Sequence, residues 1–422
     1  MAGSLETYRK VLALTGPVLP VLSFLGRLPT AMCQLGSVLL VADTSGSLAT
    51  AGLAGGALAA GQTVAGPLLG RAADRYGQRP VVLTAALANA AAVTGLVLAA
   101  LAHLATGPLA LLGALAGASV PQVGPLARSR TVALAHRSGA DERTVAGALS
   151  FEGTLDEVSF VLGPALVGLA AALAQPAAAL LLAAALLAVC GTAFALHPTA
   201  RQVSAARRTR AARTRLPGAV HALRATMALQ GAMFGASQAG ITALTEELGR
   251  PSQTGLVYAA MGVMSAAAGL AMVAVPHRLA LPARWRIATT ALTALSVPLL
   301  FVTTLGGLYA AVIVLGVAYA PHLITVFALT ERLVPADRLA ESMAFLTSGV
   351  VGGQALALAL SGRLAQDHGA AAAFAVMVVA GALCAALSWL VRGLGARRFP
   401  MGTAAAGVAP APPQPVHEPR RG

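Results

Sequence analysis

Gly70-Arg71-Ala72-Ala73-Asp74-Arg75-Tyr76-Gly77-Gln78-Arg79 is a basic turn between two stretches, residues 47–69 and 80–102, that hold no Asp, Glu, Lys or Arg. Each stretch is 23 residues long. At about 1.5 Å of rise per residue, a helix of that length crosses the roughly 30 Å hydrocarbon core of a bilayer. A turn that gathers the charge, flanked by runs that have none, reads as a helical hairpin in lipid.

Outward from this hairpin the pattern continues. Apolar segments near 13–42, 47–69, 80–102, 107–127, 145–173 and 177–196 precede a break, and segments near 220–245, 254–276, 285–304, 307–330, 340–362 and 371–391 follow it. The sequence therefore predicts an all-α polytopic membrane protein of twelve transmembrane helices in two six-helix bundles. The bundles cover 1–196 and 220–395, joined by an Arg-rich loop over 197–219 and followed by a Pro-rich tail, 396–422, too polar to pack. Composition agrees: 57% of the 422 residues are hydrophobic, 10% are charged and the mean hydropathy is +0.76, whereas charged residues approach about a quarter of a soluble domain. Cys33, Cys190 and Cys384 lie far apart in apolar runs and read as packing residues.

The net charge of +14 would suggest nucleic acid in a soluble protein, but its placement points elsewhere. With a cytoplasmic N-terminus, Arg250 and Arg363 fall on the outer side and Arg27 inside the first span. The other 26 of the 29 basic residues fall on the cytoplasmic side. The positive-inside rule then puts both termini in the cytoplasm, and the basic excess faces anionic lipid headgroups rather than nucleic acid. A shift of 196 positions aligns Pro125 with Pro321, Asp141 with Asp337 and Gly153 with Gly349. A parallel repeat of six spans is the layout of a two-bundle transporter with its substrate path between the halves.

At its position after the second span, the G-x-x-x-D-R-x-G-x-R turn resembles the signature loop of the major facilitator superfamily. Read from the residues alone, Gly70 lets two helices approach, Gly77 permits a tight turn and Asp74 can pair with a nearby Arg. The resemblance implies a gating latch between the bundles carried by Asp74, Arg75 and Arg79; without it, the turn is a basic loop that sets topology. The matching loop of the second half, 276–284, lacks the Gly and the Asp. Gly26-Arg27-Leu28-Pro29 and the 156–164 segment resemble actinobacterial drug and metabolite exporters, which often carry Gly-Pro-x-x-Gly-Gly on the fifth helix. Here Gly163, Pro164 and Gly168 remain but Val167 replaces a Gly. These three residues read as a close-packed, locally softened helix, suited to a gate or to packing.

Glu152, Asp156 and Glu157 lie within the fifth span, where a single carboxylate facing lipid costs about 3 kcal/mol. Their repeat equivalents are Ser348, Gly352 and Gly353, so the fold alone does not require acids there. Two readings stand. Either one of the three carries a coupled proton, or they are counter-ions of Arg27 and of Arg128 or Arg130 at the end of the fourth span; Arg27 is itself a counter-ion or a substrate contact. Glu331 and Arg332, at the inner end of the tenth span, read as interfacial or gate charges rather than ligands.

The function expected is proton-coupled efflux of a small organic molecule, by a monomer without cofactor or metal, spanning the bacterial inner membrane many times. Proton-coupled import is the alternative. An intramembrane enzyme would need a P-loop, H-E-x-x-H or G-x-S-x-G element, and the sequence has none. A non-transporting scaffold would need a folded soluble domain.

Overall fold

The computed structural model describes residues 2–202, 216–276 and 279–391. Most of the Arg-rich loop (203–215), Arg278 and the chain from 392 on, with the whole of the 396–422 tail, lie outside the described residues. Among the described residues the regular structure is helical, with no strand.

Helix α1 (Ala2–Thr15) leads into α2 (Val18–Ser45), α3 (Leu48–Tyr76), α4 (Gln78–Leu101), α5 (Thr106–Ala118) and α6 (Val123–Arg137). Then come α7 (Glu142–Leu173), α8 (Pro176–Leu186) and α9 (Thr192–Leu196), the last two joined by a π turn. After the short α10 (Thr199–Gln202), the second half runs α11 (Gly218–Glu247), α12 (Thr254–Ala271), α13 (Leu281–Ser296), α14 (Leu305–Leu333), α15 (Leu339–His368) and α16 (Ala370–Leu390). With α5–α6 and α8–α9 each taken as one, nine helical segments among the described residues are long and apolar enough to cross a membrane. The chain is an all-α polytopic membrane protein. Helices α3, α11 and α13 occupy the positions of the second, seventh and ninth segments read from the sequence.

Capping fixes several boundaries. The Ser47 hydroxyl accepts from the Thr50 N–H at 3.2 Å and starts α3. The Asp141 carboxylate accepts from the Thr144 N–H at 2.9 Å and starts α7, and the Thr144 N–H and hydroxyl hold this exposed carboxyl below the usual carboxylate range. Such caps satisfy N–H groups that the first helical turn leaves open.

Two segments differ from the sequence reading. The first, expected at 13–42, divides at Gly16, whose φ of +69° and following Pro17 separate α1 from α2. The fourth, expected to end at 127, continues to Arg137 but is interrupted after Ala118, where Pro121 cannot donate to the helical ladder and Gln122 takes φ +53°. Arg128 and Arg130 are consequently not at a helix end. Both are fully buried in the bundle.

Each half has its own apolar core, one around Met32, Leu58, Leu96 and Leu180 and one around Met233, Leu292, Leu315 and Phe374. A third cluster joins the halves: Val132 and Leu149 of the first pack with Met227, Phe327 and Leu346 of the second. It lies at the end of the bundle that carries the 70–79 turn.

Candidate functional site

Gly77, at φ +90°, makes the turn from α3 into α4, a conformation that a side chain would strain. Asp74, one turn earlier, reaches into the other half. Its carboxylate accepts from the backbone N–H groups of Ala340 at 3.2 Å and Glu341 at 2.8 Å, at the start of α15. The sequence suggested an Arg partner; the structure supplies a helix N-terminus instead, whose unpaired N–H groups and positive dipole end suit a carboxylate. Gly70 permits the approach, since a Cβ there would lie 2.7 Å from the Ala340 carbonyl oxygen. Arg75 lies over the Tyr76 ring of its own turn at 4.9 Å, and Arg79 is half-buried.

Further bonds join the halves at this end. His136 meets Glu331 at 2.8 Å and Arg332 meets Glu142 at 3.3 Å. Ser150 donates to the Gly269 carbonyl, and Tyr8 of α1 donates to the Leu270 carbonyl at 2.9 Å. Ser348 of α15 donates to the Gln62 carbonyl of α3 at 3.4 Å. The seam is closed from the 70–79 turn to about the middle of the helices.

Above this closure lies the charged cluster. Arg27 of α2, 5% exposed, ion-pairs with Glu152 of α7 and places Nε 3.2 Å from Asp156 Oδ1. Its guanidinium also donates to the backbone carbonyls of Glu152 at 3.3 Å and Gly124 at 3.4 Å. Arg128 of α6 pairs with the other oxygen of Asp156. Thr131 donates to Glu152 Oε1 at 3.0 Å. Glu152 and Asp156 are four residues apart on one helical face, so both reach Arg27.

Glu157 points elsewhere, to Ser265 of α12 in the second half. Arg130, also offered by the sequence as a counter-ion, turns away from the acids. Two residues past Arg128 it faces the far side of α6, donating to Gln78 Oε1 at 3.0 Å and the Phe194 carbonyl at 3.1 Å.

The cluster forms one wall of a cavity holding about 400 Å³ of space, its open mouth included. Arg27 and Asp156 are its charged lining; Gln62, Gln122, Ser159 and Thr347 add polar groups, and Val120, Val123 and Phe160 apolar ones. Thr347 belongs to the second half, so the cavity opens on the seam. At Gly163 a Cβ would come within 2.5 Å of the Ala31 Cβ, a close contact of α7 with α2. Gly168 differs from its sequence reading: a Cβ there would meet nothing within 4 Å, so it is not close-packed. Pro164 is accommodated inside a continuous α7.

Phe327 of α14 gave no sign in the sequence. The Arg128 guanidinium lies 3.4 Å from the centre of its ring, a cation–π contact that ties the charged cluster to the other half. An aromatic within an apolar run signals nothing until the seam brings it over a charge. Gln78, in the signature turn, likewise appears only in the structure as the partner of Arg130.

A helical membrane protein in two halves, closed at one end of the seam and holding a polar, charged cavity within it, has the architecture of a membrane transporter. The chain belongs to the Major Facilitator Superfamily, whose family model matches residues 14–235 and 225–419. Similar solved structures include the human organic anion transporter MFSD10 (TETRAN), with TM-score 0.68 and 18% identity over 88% of this chain and 99% of that one. A bacterial homologue of the iron transporter ferroportin, in its outward-facing state, has TM-score 0.70 and 17% identity over 88% of this chain and 98% of that one. At such identity the likeness is one of fold. No curated protein matches the chain.

Proposed function

We propose that this protein is a proton-coupled secondary transporter of the bacterial inner membrane that exports a small organic molecule by alternating access. In this reading all twelve segments span, both termini are cytoplasmic and the closed end of the seam is the cytoplasmic gate. The chain works as a monomer, with protons and membrane lipid as its other partners.

The observation that carries the reading is Asp156. It lies on the cavity wall, deep in the bundle, and is shared by Arg27 and Arg128. A carboxylate held by two cations on two helices links its own charge state to helix positions: adding a proton weakens both pairs and frees α2 and α6 to shift relative to α7. Arg128 carries that change to Phe327 across the seam. Glu152, buried against Arg27, and Glu157, facing Ser265, are the other groups able to take the proton. What supports the exporter direction is the partial resemblance of Gly163, Pro164 and Gly168 to the fifth-helix element of exporters.

The experiment is transport in inside-out membrane vesicles. Collapse of the proton gradient should abolish accumulation. Asp156→Asn should remove gradient-driven transport but leave counterflow exchange, which moves no net proton. A stable Asp156→Asn protein that still concentrates substrate, with an unchanged pH dependence, would refute proton coupling through Asp156. Gradient-driven loss of preloaded substrate from the same vesicles, in place of accumulation, would reverse the direction.

A further inference from the structure

The charges on the cavity wall are balanced. Arg27 is paired with Glu152 and Asp156, and Arg128 with the other oxygen of Asp156, so two guanidinium groups meet two carboxylates. Arg130 faces the far side of α6 and Glu157 faces Ser265, so neither adds its charge to the lining. A cationic ligand would have to draw Asp156 away from two guanidinium groups, and an anionic one would have to draw Arg27 away from two carboxylates. Either leaves a buried charge short of its partner, which is costly. The balance favours a ligand with no net charge.

The uncharged polar groups of the lining specify what such a ligand carries. Ser159 donates to the Leu155 carbonyl at 2.7 Å and Thr347 to the Met343 carbonyl at 3.4 Å, each on its own helix. Gln122, at the break between α5 and α6, donates from Nε2 to the Val120 carbonyl at 3.4 Å. Gln62 of α3 differs. It is 1% exposed and lines the cavity, and its Oε1 has no donor among the described residues. Its backbone is held in place: the Gln62 carbonyl accepts from Ser348 across the seam, and α5 crosses so closely that a Cβ on Gly117 would lie 2.9 Å from the Gln62 backbone nitrogen. Buried polar atoms in native proteins almost always have a hydrogen-bond partner, and one left without it incurs its full desolvation cost. Around Gln62 the lining is otherwise largely apolar, with Val120, Val123, Pro125 and Phe160. We infer that the cavity takes an electroneutral molecule, a compact apolar body bearing an N–H or O–H donor, and that Gln62 Oε1 receives that donor. This rests on the transporter reading in placing the substrate at this cavity.

The test uses benzamide, acetophenone, benzoate and benzamidinium, four molecules of nearly one shape, titrated calorimetrically into the full-length protein in detergent. Acetophenone replaces the donor NH₂ of benzamide by a methyl group; benzoate brings a negative charge and benzamidinium a positive one. Benzamide should bind about fivefold or more tightly than each of the other three. A neutral hydrogen bond accounts for the first difference, and the disturbed ion pairs account for the other two. Gln62→Met keeps the reach of the side chain and removes the acceptor, so benzamide and acetophenone should then bind equally. The comparison of the four ligands on the parent protein stands if the variant does not fold.

Acetophenone, benzoate or benzamidinium binding as tightly as benzamide, no benzamide binding at millimolar concentration, or a preference for benzamide over acetophenone that survives Gln62→Met would overturn the inference. Its failure is separable from that of the transporter reading. Gradient-driven export of an organic ion by a protein that ignores benzamide would sink the inference alone. Benzamide binding with the stated preference, without gradient-driven movement of any solute, would support it and sink proton-coupled transport.

Discussion

Replacing Asp74 by Asn should open the seam at the end where the turn meets α15. The carboxyl accepts two backbone N–H groups there, at 3.2 and 2.8 Å; burial pushes its pKa up to about 8, and above that pH, where the comparison is made, its charge faces the positive end of a helix. An Asn side chain keeps one acceptor oxygen, now neutral, and turns an NH₂ group toward the second donor. A hydrogen bond to a charged group contributes about 1.5–3 kcal/mol, against about 1 for a neutral one. The closed arrangement should therefore lose about 2 kcal/mol, and the fraction of molecules open at that end should rise about thirtyfold.

Ser348 is a suitable reporter, 2% exposed and bonded to the Gln62 carbonyl across the seam. With the buried Cys33, Cys190 and Cys384 replaced by Ala, a Ser348→Cys thiol would react with a membrane-permeant maleimide only when α3 and α15 separate. The labelling rate should then increase about thirtyfold in Asp74→Asn. An unchanged rate in a protein that inserts and melts normally would refute the assignment of Asp74 as a latch.

Arg27→Gln should destabilise the protein by about 3–5 kcal/mol, because it leaves the buried Glu152 carboxylate without its cation, while adding Glu152→Gln should recover much of that loss; melting of the two variants in detergent checks both. Gly163→Ala should cost about 1–3 kcal/mol through collision with Ala31. Gly168→Ala, with open space around it, should be neutral or stabilise by up to about 1 kcal/mol through helix propensity. Equal melting temperatures for the two glycine variants would contradict the helix contact described. Phe327→Leu should cost about 0.5–2 kcal/mol, the range of a cation–π contact, and in the transport assay should slow turnover more than it changes substrate affinity. Asp141→Ala should lose about 1 kcal/mol of α7 capping at neutral pH. Since Thr144 holds the Asp141 carboxyl below its ordinary value, that contribution is complete above the ordinary carboxylate pKa and is lost as the pH falls through the lowered one. The stability difference between parent and Asp141→Ala should shrink accordingly in acid.

The sequence by itself determined the solvent and the repeat. Charge-free runs of bilayer length are a linear property of the chain, because a helix satisfies its own backbone whatever surrounds it, and so the helical segments follow the segments read from residue order. Glu152 and Asp156 share a face through helical periodicity alone, and Gly77 announces its turn. Tertiary structure decided the partners. Whether Asp74 meets a guanidinium or a helix end, whether Arg130 serves the acids or Gln78, and whether Phe327 lies over Arg128 all depend on which helices cross and at what depth, and such contacts join residues far apart in sequence. The repeat shows the same division. Glu152, Asp156 and Glu157 correspond to Ser348, Gly352 and Gly353, and on α15 these positions face the seam and the neighbouring helix: Ser348 bonds Gln62, and a Cβ on Gly352 would lie 2.8 Å from the Thr63 methyl. The first half uses this register for charge and the second for close packing, a difference of surroundings that residue order does not encode.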